Sequence, residues 1–83
     1  MSTYKIEVPH FYEIRYIEGD HSMTIEVDLR ESVPCLYKSA IRAWDTPFSD
    51  EPISDGRTEE ILQRVHEHLT RVRKFSRVEI DRG

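Results

Sequence analysis

The stretch TEEILQRVHEHLTRVR, residues 58–73, decides the fold. Thr58, Ile61, Leu62, Val65, Leu69 and Val72 recur at helical spacing and form one stripe. Glu59, Glu60, Gln63, Arg64, Glu67 and Arg71 fall off it. Glu60 precedes Arg64 by four residues and Glu67 precedes Arg71 by four, the favourable order for ion pairs along a helix. A helix of this length is marginal alone in water, so its stripe has to cover something. Burying about five aliphatic side chains there is worth on the order of 10 kcal/mol gross. Asp55 or Thr58 is the expected N-cap, and the acids of the first turn and the bases of the last suit the helix dipole.

Outward from the helix, the chain reads as strand. Tyr4, Ile6 and Val8 alternate with Lys5 and Glu7, and Pro9 ends that ladder. Residues 11–18 form a second strand with Tyr12, Ile14 and Tyr16 on one face. Gly19-Asp20 is a hairpin turn. Met23, Ile25, Val27 and Leu29 then alternate with Thr24, Glu26 and Asp28. A fourth strand spans residues 33–38, with Val33, Cys35 and Tyr37 sharing the core face. Residues 75–81 form a last strand through Val78 and Ile80. Residues 39–44 fit either a helical turn or an extended run. The expected fold is α+β: an antiparallel sheet of about five strands with one amphipathic helix on one face, ordered ββββαβ, in a single domain over residues 1–83.

Composition narrows function. A chain of 83 residues builds a thin core and has roughly 5 kcal/mol of net stability, which leaves little room for an enclosed active site. The net charge of −4 disfavours nucleic acid as a partner. Charge is uneven: residues 45–60 carry Asp45, Asp50, Glu51, Asp55, Glu59 and Glu60 against Arg57, whereas residues 61–83 are net basic. One cysteine, Cys35, excludes an internal disulfide and suits a reducing cytoplasm. Residues 1–9 do not read as a leader, and no apolar run approaches a membrane span. His66 and His68 lie about 200° apart around a helix and cannot share one metal ion. No metal, cofactor, membrane or catalytic role is therefore expected.

The loop over residues 45–56 is the suggestive feature. Two prolines, a glycine and several acids make regular structure unfavourable, while Phe48 and Ile53 can pin it to the core. Trp44 is either a core residue or an exposed anchor beside Asp45, Asp50, Glu51 and Asp55. Aromatics ringed by charge are the composition of a protein-recognition surface, and exposed acids suit a basic partner such as the cleft of a nuclease.

The motif Ser39-x-Ile41-Arg42-x-Trp44-Asp45, followed by Pro47 and Glu51-Pro52-Ile53, resembles a family of small bacterial immunity proteins. These are the cognate inhibitors of polymorphic toxin systems and of contact-dependent inhibition, and the nearest resemblance is to immunity protein 74. Ala40 stands between Ser39 and Ile41, and Thr46 before Pro47, as departures from the family pattern. The resemblance implies a stand-alone protein that binds and blocks one toxin domain. Asp45, Asp50, Glu51 and Asp55 are then the expected contacts, with Trp44 as anchor or support. The polar sheet face with Glu13, Arg15, Glu26 and Asp28 is the competing surface. A homodimer joined through residues 4–8 or 77–81, and a small-ligand domain using a cleft between loop and helix, are the other classes.

Overall fold

The computed structural model describes residues 3–83; Met1 and Ser2, where the leader reading begins, lie outside them. The described elements run β1 (Tyr4–His10), β2 (Glu13–Glu18), β3 (His21–Glu26), β4 (Cys35–Tyr37), α1 (Asp55–Glu67) and β5 (Glu79–Asp81). The order ββββαβ holds. The single antiparallel sheet does not: β1, β2 and β3 form an antiparallel meander, while β4 and β5 form a separate parallel pair. The reason is the connection. The helix lies between β4 and β5, and a strand–helix–strand crossover returns the chain in the direction it left.

The β2–β3 hairpin forms in the expected register. Ile14 faces Ile25 and Tyr16 faces Met23 across the pair, and Glu18 and His21 close a two-residue loop. Gly19 sits at φ +61, where a side chain would be strained. Beyond β3 the Val27 and Leu29 amides donate to the Tyr12 and Phe11 carbonyls. β1 runs through Pro9 to His10, with an irregularity between Glu7 and His10 where the proline cannot donate.

Alternation places Ile14, Tyr16, Met23, Ile25, Val27 and Leu29 on the buried face. Tyr12 lies before β2 and is exposed. β4 presents the opposite face to that read from sequence. Leu36 and Pro34 are buried, Cys35 is half-buried, and Val33 and Tyr37 are exposed. Leu36 offers more apolar area than Cys35, and it meets Ile80 across the parallel pair. Residues 38–40 form one 3-10 turn, after which Ile41 and Trp44 enter the core.

The helix starts earlier than its periodicity suggests. Ser54 is the N-cap, its Oγ accepting from the Arg57 amide at 3.2 Å, and Asp55-Gly56-Arg57 make the first turn. Glycine costs little there because those amides have no intrahelical partner in any case. Ile61, Leu62, Val65 and Leu69 are buried against the meander and the parallel pair in one core. His66 also binds inward: its Nε2 N–H donates to the Val78 carbonyl at 3.0 Å, tying the helix to the residue that leads into β5.

At its end the helix widens into a π-turn, His68–Val72. The extra residue per turn rotates the residues beyond it around the axis. Val72 leaves the stripe and is 62% exposed, and among the described residues Glu67 and Arg71 form no ion pair, whereas Glu60 and Arg64 do. Lys74, at φ +66, then reverses the chain, and the Phe75 amide donates to the Leu69 carbonyl.

Val65→Asp, at a position 1% exposed, is expected to abolish the cooperative thermal transition. Val72→Asp is expected to move Tm by less than about 4 °C, since it stays in water. Lys74→Gly relieves the left-handed backbone and is expected to raise stability by roughly 1 kcal/mol in urea titration.

Candidate interaction surface

Trp44 resolves as a core residue, 7% exposed. Its ring lies 6.2 Å from that of Tyr16 and meets the edge of His21 at 5.1 Å. His21 stacks on Phe48 with centroids 3.8 Å apart, and its Nε2 N–H donates to the Glu51 carboxylate at 3.1 and 3.2 Å. Phe48 and Ile53 pack against the core, as the sequence suggests. Backbone bonds complete the mounting: the Asp45 amide donates to the Ser22 carbonyl at 2.8 Å, the Phe48 amide to Asp45 and the Glu51 amide to Phe48. A segment without regular structure is thereby held in one shape.

The predicted acids do not converge into one patch. Asp45 is half-buried on the polar side of the meander, accepting from the Ser22 hydroxyl at 3.3 Å beside the Arg15 guanidinium at 3.5 Å. Glu51 engages His21 at the hairpin end. Asp55 meets the Lys38 ammonium at 2.6 Å, on the far side of the helix start, with Glu59 at 3.6 Å. Asp50 is exposed and makes no ion pair among the described residues. The loop therefore presents Asp50 and Glu51 outward, with Trp44 beneath them and Asp45 as a strut.

A second cluster, not singled out from sequence, joins hairpin to helix. The Tyr16 ring is fully buried, with its hydroxyl at the rim of the core. That hydroxyl donates to Glu18 Oε1 at 2.5 Å and accepts from an Arg64 guanidinium nitrogen at 2.6 Å. Arg64 also reaches Glu18 at 3.0 Å, Arg57 reaches its other oxygen at 2.9 Å, and Glu60 bonds both Arg57 and Arg64. Arg64 lies over the Tyr4 ring, 4.4 Å from its centroid. The sequence reading pairs only Glu60 with Arg64; Arg57–Glu60 and Tyr16–Glu18 are further local pairs, whereas the bonds of Arg57 and Arg64 to β2 are long-range and no spacing reveals them. A cleft of about 250 Å³ between loop and helix is lined by Glu18, His21, Trp44, Glu51, Pro52 and Arg57.

Burial and the hydrogen bond to Glu18 push the Tyr16 phenol up to about 12, with Arg64 opposing them. Burial acts to raise the Glu18 carboxyl, but hydrogen bonds from Tyr16 and Arg57 and the charges of Arg57 and Arg64 outweigh it and hold Glu18 below its usual range.

Among the described residues, no group of three or more His, Cys, Asp or Glu could hold a metal ion, and no helix is long and apolar enough to cross a membrane. No protein-family model, curated protein or solved structure matches this chain. The weight of any functional reading thus rests on its own residues.

Two pH limbs are expected in chemical denaturation. Tyr16 ionises at 10.0 when unfolded and near 12 when folded, so its contribution is complete below pH 10 and is lost as pH rises from about 10 to about 12. Glu18 has the opposite sign: its contribution is complete above the ordinary value of 4.5 and is lost as pH falls through the depressed folded value. Glu18→Gln is expected to cost about 2 kcal/mol at pH 7 and to flatten the acid limb. Tyr16→Phe is expected to flatten the alkaline one.

Proposed function

We propose that this domain is an immunity-type inhibitor, which binds one basic toxin domain in the cytoplasm and blocks it by contact rather than by catalysis. The observation that carries the reading is the mounting of the loop over residues 41–54. Its backbone is tied to β3, and its aromatic and aliphatic side chains are sunk in the core. Asp50 and Glu51 are consequently offered to solvent on a preordered support. Preorganisation removes most of the entropy cost that a flexible acidic loop would meet on binding. The motif resembling immunity proteins, residues 39–53, overlaps most of this segment.

The internal ion pairs fit such a role. Exposed pairs like Glu51 with His21 and Asp55 with Lys38 are worth under about 1 kcal/mol, so a partner's guanidinium or ammonium groups can replace them. The contacts proposed are Asp50 and Glu51 at the tip; Asp55, turned to Lys38 on the far side of the helix start, is not part of that patch. Trp44 and Asp45 act from beneath by holding the loop. A nuclease, whose cleft is built for phosphate, is the kind of basic surface that carboxylates engage.

The test is co-expression with a toxin-like domain encoded immediately upstream of this protein. The chain is expected to restore survival. The double substitution Asp50→Lys and Glu51→Lys is expected to lower rescue at least tenfold while circular dichroism and Tm stay unchanged. Failure of the unaltered chain to rescue would remove the inhibitor reading.

A further inference from the structure

We infer that the outer edge of β3, at Thr24 and Glu26, is a docking site for an extended basic segment of another protein, which adds to the meander as a fourth strand. The inference does not rest on the inhibitor reading, because it concerns what this edge binds and not what the binding achieves.

Strand parity decides which backbone groups face outward. Glu18 and His21 close the hairpin, so His21, Met23 and Ile25 exchange backbone bonds with β2, while Ser22, Thr24 and Glu26 point theirs outward. Two bonds confirm the phase. The Asp45 amide donates to the Ser22 carbonyl from outside, and the Val27 amide donates inward to Tyr12. The mounted loop therefore bonds the Ser22 end of this edge, while Ser39, Ala40 and Arg42 stand across a groove from Glu26 at the other end. Among the described residues, the Thr24 and Glu26 backbone groups make no hydrogen bond. Both residues are exposed.

Beside this edge lies space of suitable shape. Two open grooves of about 540 and 390 Å³ share Glu26 and Tyr37. The first also has Tyr12, Glu13 and Thr24 on its walls, and the second Ala40 and Arg42. Tyr12 and Tyr37 are 49% and 48% exposed, large rings left in water on either side of the groove. Tyrosine is the residue that interfaces favour, because it brings much contact area with little rotamer entropy.

Charge selects the occupant. Glu13 and Glu26 are directly opposite across β2 and β3, in a pair whose side chains lie close together. Like charges in that register destabilise a sheet. His10 reaches Glu13 at 3.2 Å, but among the described residues Glu26 forms no ion pair, although Arg42 lines the same groove. Asp28 is already engaged by Arg30. A lysine or arginine entering at this register relieves the repulsion, and the main chain of its strand supplies partners for Thr24 and Glu26. Backbone bonds give the affinity and the carboxylate pair gives the selectivity, as in other strand additions.

The test uses isotope-labelled full-length protein and three synthetic hexapeptides: alternating lysine and valine, its backbone N-methylated form, and alternating glutamate and valine. The lysine peptide is expected to shift the Thr24 and Glu26 amides and slow their hydrogen exchange at least tenfold. The N-methylated and glutamate peptides are expected to bind at least tenfold more weakly. Thr24→Pro removes the outward amide without touching the ladder to β2, where proline is tolerated, and is expected to abolish binding. Thr24→Val keeps the amide and is expected to bind like the unaltered chain. If Thr24→Pro does not fold, the N-methylated peptide alone decides the backbone question. Perturbation confined to residues 45–55, equal binding of lysine and glutamate peptides, or no perturbation at millimolar peptide would overturn the proposal. So would concentration-dependent protection of the same amides without peptide, since a second copy would then be the occupant.

Discussion

The buried hydroxyl of Tyr16 is the constraint on which the rest of this small structure hangs. Its ring fills the centre of the core, so its oxygen must find partners at the rim or leave a polar group unsatisfied, at a cost of about 1–3 kcal/mol. Glu18, two residues along the same strand face, accepts from it, and Arg64 donates to it from the helix. Apolar contacts would tolerate a helix that slid or rolled on the sheet. A guanidinium shared by a phenol and a carboxylate does not, because its donors lie in one rigid fork. The cluster thus sets where the helix lies, and with it the start of the loop that leads into α1.

How much could be read from residues alone depends on the range of the interactions concerned. The helix, the Gly19-Asp20 turn and the alternation of β3 arise from neighbours a few residues apart, and all three were legible. The face of β4 was not. In three residues, the choice between Cys35 and Leu36 is made by Ile80, which lies beyond the whole helix. The parallel pairing of β4 with β5 was hidden for a related reason, since each short strand fits either direction until the helix is placed. Val72 was misplaced because a π-turn changes the period without altering the composition that suggested it.

The candidate site shows the same division. The exposure of Asp50 and Glu51 and the pinning role of Phe48 and Ile53 were evident from side-chain chemistry. The burial of Trp44 was one of two open readings. The partners of the acids were invisible, because His21, Arg15 and Lys38 come from three different parts of the chain. As a result, a run that looks like one block of negative charge is spread over several surfaces. Net charge along a sequence is a poor guide to potential in space when each acid meets a different element.

The parallel pair carries a kinetic consequence. The meander is built from contacts between chain neighbours and can form early, whereas β5 reaches β4 only after the loop and the whole helix have been placed. Its strands are three residues each, tied to the helix at their ends by the His66–Val78 bond, the Arg82–Glu59 pair and the Lys38 pairs with Asp55 and Glu59, and to the core by Leu36, Val78 and Ile80. On contact range such an element is expected to close last and to open before the meander. The two ends of the chain are then expected to differ in lifetime, the backbone amides of β5 exchanging faster than those shared by β2 and β3.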